Sequence, residues 1–190
     1  YKRQVLYTIV VTSLGLLRPG YNHVTQPMSE LGAAGTPNAM IMNILGFPLL
    51  GLLIIAFALG LHRGIKAGRW SKVGSALLAI VGIGYVAFGL FPCDLGCVTT
   101  SLTGLIHGLV SRLVTCGLFL APLAIAQSFK SDHRWERYRM YTLATGLVTA
   151  ILMLIPFFIV VEGWYGAFQR ILVGMPLLWI EILAIKLLRL

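Results

Sequence analysis

The sequence predicts an all-α fold: a bundle of six transmembrane helices, both termini cytoplasmic, with a short surface helix in the first extracytoplasmic loop. Three observations carry that expectation. Hydrophobic residues make up 58% of the 190 and charged residues only 11%, against about 25% charged in a soluble domain. A globule of this size could not be wetted by so little polar surface, so its solvent must be mostly lipid. The apolar runs follow one another with no long polar stretch between them, which gives a single membrane domain over 1–190. The basic residues also fall overwhelmingly on alternate connections between those runs.

A spanning helix needs roughly 20 apolar residues, with about 17 to 25 tolerated. The runs place spans at 5–17, 39–61, 73–91, 101–126, 141–161 and 171–188. The first is short, and is expected either to be frayed by truncation or to be lengthened by Lys2 and Arg3 reaching to the surface. The chain opens on Tyr1 rather than methionine, so processing, trimming or an internal start is expected. No small-residue cleavage site closes the stretch after Lys2 and Arg3, so no secretory signal is recognised. No internal repeat or low-complexity tract is evident. Gly104 and Gly108 form a G-x-x-x-G, expected to allow close helix packing.

One set of connections and termini holds Lys2, Arg3, Arg63, Lys66, Arg69, Lys72, Lys130, Arg134, Arg137, Arg139, Lys186 and Arg189; the other holds only Arg18 and Arg170. Basic residues favour the cytoplasmic side, so both termini belong there, in a multi-pass protein of the cell membrane. The net charge of +9 is thereby explained by orientation and by anionic headgroups, and nucleic acid is excluded as a partner.

The remaining polar groups collect on the outer side, where Glu30, Asp94, Glu162, His23, Arg18 and Arg170 are expected. Asp132 and Glu136 lie on the other side among basic residues, as solvated charges. His107 falls about 9 Å below the start of its helix at about 1.5 Å per residue, with Asn43 and Tyr85 at similar depth. Thr103, His107, Ser111 and Thr115 recur every four residues and form one polar stripe, which should face the bundle interior because lipid cannot satisfy it. Arg112 lies about 16 Å in and Glu181, counted from Ile171, about 15 Å. Opposite charges at one depth predict an Arg112–Glu181 ion pair; the alternative is that one of them meets substrate or water. His107 is either a buried neutral ring bonded to Tyr85, Asn43 or a carbonyl, or a general base or metal ligand facing an outer cavity.

In "FPCDLGC", Cys93 and Cys97 are candidates for a disulfide on the oxidising side of the membrane. Two free thiols, or a metal site with Asp94, are the alternatives, and no zinc-type C-x-x-C pair is present. No metal is therefore assigned, and the cofactor is unknown. Cys116, inside a span, reads as a packing residue. "MSELGAA" suggests the surface helix, acting as a lid over the His107 stripe. Ser29 lacks a G-x-S-x-G elbow and reads as a turn or cap residue rather than a nucleophile.

The stretches "RPGYNHVTQPMSELGAAGTPNAMIMNILGF", "GLFPCDLG", "GLIHGLVSR" and "YGAFQRILVGMPLLWIEILAIKLL" together resemble the prokaryotic integral membrane family catalogued as domain of unknown function nine-nine-eight, from about Leu17 onward. On that pattern the positions carried over are Ser29, Glu30, Asn43, Asp94, His107 and Arg170. The resemblance implies a six-helix membrane protein and no established reaction.

Three functions remain open. One is binding or handling of membrane lipid through a polar cavity open to the outer leaflet, lined by Asn43, Tyr85, Asp94, His107 and Arg170, with Arg170 taking an anionic headgroup. Another is an intramembrane lipid hydrolase or transferase with His107, Asp94, Glu30 and Ser29 as catalytic candidates. The third is a non-catalytic accessory subunit, with a membrane protein partner or a homo-oligomer. A proton or ion carrier is disfavoured, since no discontinuous helix pair marks a transport site.

Overall fold

The computed structural model describes residues 3–190, so the anchoring expected of Lys2 lies outside the described residues. The described residues are all-helical, without strands, and run as six rods: α1 (Arg3–Leu17), α2 (Ala39–Gly64), α3 (Arg69–Leu90), α4 (Leu102–Ser128), α5 (Arg139–Leu154) and α6 (Tyr165–Leu187). Four helices among them are long and apolar enough to cross a membrane: Ala39–Gly64, Arg69–Leu90, Leu102–Ser131 and Glu136–Phe157; Tyr7–Leu17 is a shorter apolar helix.

The boundaries follow from local chemistry. Pro19 and Gly20, the latter at a φ of 76°, turn the chain after α1. A π-turn at Met42–Gly46 widens α2 just before Pro48, whose missing N–H leaves the Ile44 carbonyl without its helical donor. The Ser101 hydroxyl accepts from the Gly104 N–H at 3.0 Å and starts α4. At the far end of α5, Pro156 stops the helix seven residues short of the expected Val161, and a 3₁₀ turn at Ile155–Phe157 follows. The chain then re-enters a helix at Tyr165, six residues before the expected start at Ile171.

The α2 and α3 backbones touch. A Cβ on Gly51 would strike the Gly82 carbonyl oxygen and the Val86 nitrogen, and one on Gly82 would strike the Gly51 carbonyl; small residues permit this approach. Trp179, fully buried on α6, donates from Nε1 to the Thr142 hydroxyl of α5 at 3.0 Å, so the buried indole keeps its hydrogen bond.

The two ends of the bundle differ in chemistry. At one end the α2–α3 and α4–α5 turns interlock. Trp135, 0% exposed, stacks on Phe129 at 5.1 Å and donates from Nε1 to the Gly64 carbonyl at 3.1 Å. The Asp132 carboxylate accepts from the Lys66 N–H at 2.8 Å and from Arg134 Nε at 3.0 Å. Asp132 is thus a buried tie rather than the solvated charge expected, and its Arg134 bonds hold its carboxyl down at about 2. Leu187, near the end of α6, packs against Gly60 and Gly64, so most of the basic side chains share this end.

At the opposite end the first loop, residues 18–38, lies across the bundle. Its Ala34 N–H donates to the Cys93 carbonyl at 3.0 Å, and its Val24 carbonyl accepts from the Ala167 N–H at 2.9 Å. The expected surface helix is instead a five-residue 3₁₀ turn, Met28–Gly32, with Met28, Glu30, Leu31 and Gly32 buried. Met28 and Leu31 belong to the hydrophobic core, and the favourable burial of these side chains draws the segment inward.

Candidate functional site

Beneath the Met28–Gly32 turn lies a cavity of about 750 Å³, within the usual range for small-molecule sites of about 300–1,000 Å³. Tyr7 of α1, Tyr85 and Phe88 of α3, Met153 of α5, and Gln169, Leu172 and Val173 of α6 form its sides, while Met28, Ser29, Glu30 and Cys97 close it over. The α4 helix supplies one continuous wall: His107, Gly108, Ser111, Arg112, Val114 and Thr115. Side chains four apart stack on one face of a helix, which is why His107, Ser111 and Thr115 reach the same space. Gly108 is not a packing glycine, as the G-x-x-x-G suggested. A Cβ there would meet nothing within 4 Å, whereas one on Gly104 would meet the Asp94 carboxylate.

The hydrogen bonds of this wall set its polarity. His107, 6% exposed, places Nδ1 2.9 Å from the Phe91 carbonyl with its ring 4.7 Å from that of Phe88. A carbonyl only accepts, so Nδ1 carries the proton and Nε2 of the neutral ring keeps its lone pair. The Ser111 hydroxyl donates to the His107 carbonyl at 2.8 Å, and the Thr115 hydroxyl to the Ser111 carbonyl at 2.8 Å. Both hydroxyl protons are thereby used within the helix, and the oxygens remain acceptors.

The first loop is held over the cavity by a dense set of bonds. Arg170 donates to the carbonyls of His23 at 2.7 Å, Gln26 at 3.1 Å and Gly166 at 2.8 Å, to the Tyr21 hydroxyl at 2.8 Å, and to His23 Nδ1 at 3.0 Å. Burial first and the Arg170 charge second lower the His23 pKa; burial raises that of Tyr21. Arg18 pairs with Glu30 at 3.2 Å and donates to its carbonyl at 2.6 Å, while Gln26 Nε2 donates to the same carboxylate at 2.9 Å. Gln169 Oε1 accepts from the Met28 N–H at 2.7 Å.

This arrangement corrects several expectations. Arg170 is a clamp for the loop, with its donors committed to protein acceptors, and it does not line the cavity. Asn43 does not line it either; its Nδ2 donates to the Gly32 carbonyl at 2.8 Å and steadies the 28–32 turn. Asp94 stands outside the wall at the start of α4, accepting from the Thr100 and Ser101 N–H groups and the Ser101 hydroxyl. Those bonds, the Ser101 hydroxyl foremost, hold its carboxyl down at about 2. Only Tyr85 and His107 of the five residues expected to line the cavity do so.

Among the described residues no ion pair joins Arg112 to Glu181 as expected. Ion pairs among the described residues join Arg18 to Glu30, Arg134 to Asp132 and His133 to Glu136. The early start of α6 is the reason: Glu181 lies sixteen residues into its helix and Arg112 ten into α4, a mismatch of about 9 Å. Arg112 lines the cavity instead.

Nor do the catalytic candidates assemble. Among the described residues no hydrogen bond joins Ser29, Glu30, Asp94 and His107 to one another, and no group of three or more His, Cys, Asp or Glu could hold a metal ion. Ser29 Oγ lies 3.4 Å from Cys97 Sγ, and Cys97 is joined to Cys93 in a disulfide. Gln26, Gln169 and Tyr7 were missed by the sequence reading because an amide or a phenol on an apolar helix or loop carries no spacing signal. Gln169, next to Arg170 on the first turns of α6, was the readable one.

No curated protein and no solved structure matches the chain. Residues 4–186 match the family described as "Protein of unknown function (DUF998)", and the chain belongs to that family.

Proposed function

We propose that this protein crosses the cell membrane six times with both termini in the cytoplasm, and that it holds a membrane amphiphile in the cavity at the outer end of the bundle. The orientation rests on the basic side chains gathered at the end of the interlocked Trp135 and Asp132 turns. The binding reading rests on one observation: the cavity lining combines polar and apolar side chains. Its α4 wall carries His107, Ser111, Arg112 and Thr115, and the lining also takes in Met153, Leu172 and Val173 of α5 and α6. A headgroup suits the polar groups and a hydrocarbon chain the apolar ones.

The segment between α5 and α6 adds support. Phe157, Phe158, Ile159 and Val160 are 77%, 84%, 55% and 79% exposed, and they lead into Val161 at the cavity margin. Side chains of this kind belong in the acyl region of a leaflet, which would put lipid directly beside the cavity. Hydrolysis is the weaker reading, because its proposed groups are bonded apart.

The test is native mass spectrometry of protein purified in mild detergent. One lipid class should remain bound to the wild type, and Gly108→Phe, which fills open space, should lose it while melting at the same temperature. Wild-type protein that carries no lipid, with Gly108→Phe indistinguishable from it, would remove this function.

A further inference from the structure

We infer that the occupant of the cavity bears an acidic group, bound by Arg112, together with a hydroxyl that donates to the acceptors around it. This rests on the amphiphile reading above and names the headgroup that reading leaves open.

Arg112 sits about 15 Å along α4 from Leu102 and lines the cavity. Among the described residues it makes neither hydrogen bond nor ion pair. Its side chain is exposed on the chain by itself, so within the proposed bilayer it would meet the cavity or lipid, where an unpaired guanidinium is expensive. Among the described residues the cavity lining contains one acid, Glu30, and that carboxylate is already engaged by Arg18 and Gln26 at its rim. Among those residues the positive charge of Arg112 is therefore uncompensated, and an anion is the species that completes it. Guanidinium is also suited to hold a carboxylate or phosphate through paired N–H donors.

The groups beside Arg112 select further. Nε2 of His107 and the oxygens of Ser111 and Thr115 are left as acceptors by the bonds their protons make. A bare anion gains nothing from acceptors; a hydroxyl does. A headgroup with an acid and a hydroxyl a few atoms apart satisfies both features of the α4 wall. Glycerol phosphate on an acyl chain is the simplest chemistry of this kind.

Four probes separate the contributions: oleoyl lysophosphatidic acid (acid, hydroxyl and chain), oleate (acid and chain), mono-oleoylglycerol (hydroxyl and chain) and glycerol 3-phosphate (acid and hydroxyl without a chain). Binding is measured by displacement of a fluorescent fatty acid analogue from the purified full chain, and for the chain-free probe by calorimetry. Lysophosphatidic acid should bind tightest. Arg112→Gln should weaken it at least about tenfold, the scale of one charged hydrogen-bonded contact, and leave mono-oleoylglycerol unchanged. Equal binding of lysophosphatidic acid and mono-oleoylglycerol to the wild type would overturn the acidic assignment while the amphiphile reading stood, and that comparison needs no variant. Oleate binding as tightly as lysophosphatidic acid would remove the hydroxyl. Glycerol 3-phosphate matching the chain-bearing probe would make the ligand a soluble one. Binding of no probe would overturn the amphiphile reading itself.

Discussion

Arg170 and Arg112 show how the same residue type takes opposite roles according to its neighbours. Arg170 has its donors on the loop backbone and on Tyr21 and His23, so its removal leaves partly buried carbonyls without partners. Arg170→Ala should destabilise the protein by about 2–3 kcal/mol, seen as a lower melting temperature in detergent, and Arg170→Lys should not restore it, because an ammonium cannot bridge acceptors in the same fork geometry. Asp132 gives a pH signature. Its carboxyl is held at about 2 by Arg134, below the unfolded carboxylate range of about 3.9. A lowered folded pKa stabilises above the unfolded value and is lost as pH falls through the folded one. Melting temperature should therefore fall as pH drops from about 4 towards 2. Asp132→Asn should lower it at neutral pH and flatten that part of the profile; an unchanged profile would show that the tie between the two turns contributes nothing.

At the scale of elements, α4 and the α2–α3 pair carry distinct constraints. The Ser101 hydroxyl caps α4, and Ser101→Ala should cost about 1 kcal/mol, measured as a shift in melting temperature. A looser first turn would move His107, so lipid retention in native mass spectra should fall with it. The contact of Gly51 with Gly82 is backbone on backbone, so Gly82→Val forces the helices apart; overpacking of this kind costs about 1–3 kcal/mol. Gly108→Val, by contrast, enters open space and should leave the melting temperature unchanged. These glycines look alike in sequence. Apolar runs marked where α2, α3 and α4 lie, to within a few residues, because hydrophobic length is a property of one segment. The end of α5 and the start of α6 were harder to read: "IPFFIVV" is apolar enough to continue a helix, and Pro156 interrupts it.

For the whole molecule, the two chemically different ends make orientation testable. In a Cys116→Ser background, a membrane-impermeant maleimide should label Thr99→Cys in intact cells and Ser131→Cys only after permeabilisation. The reverse pattern would turn the cavity towards the cytoplasm. The two ends also differ in what joins them: Trp135, Phe129 and Asp132 lock the basic end, while the cavity end is held by the strap of residues 18–38 and its bonds to α6.

Composition and the distribution of charge were enough to determine the helical class and the grouping of basic residues, because each of these is a sum over residues or a pattern within one segment; the family was carried by particular stretches such as "GLFPCDLG" and "GLIHGLVSR". The His107, Ser111 and Thr115 stripe was legible for the same reason, since periodicity belongs to a single helix. Which polar residues face the cavity and which tie loops down was decided by the tertiary structure. Asn43, Asp94 and Arg170 were indistinguishable in sequence from binding residues, and their partners lie on other segments. Arg112 and Glu181 are not paired among the described residues; depth matching compares two helices, and a six-residue difference in where one begins moves a charge by about 9 Å along the axis.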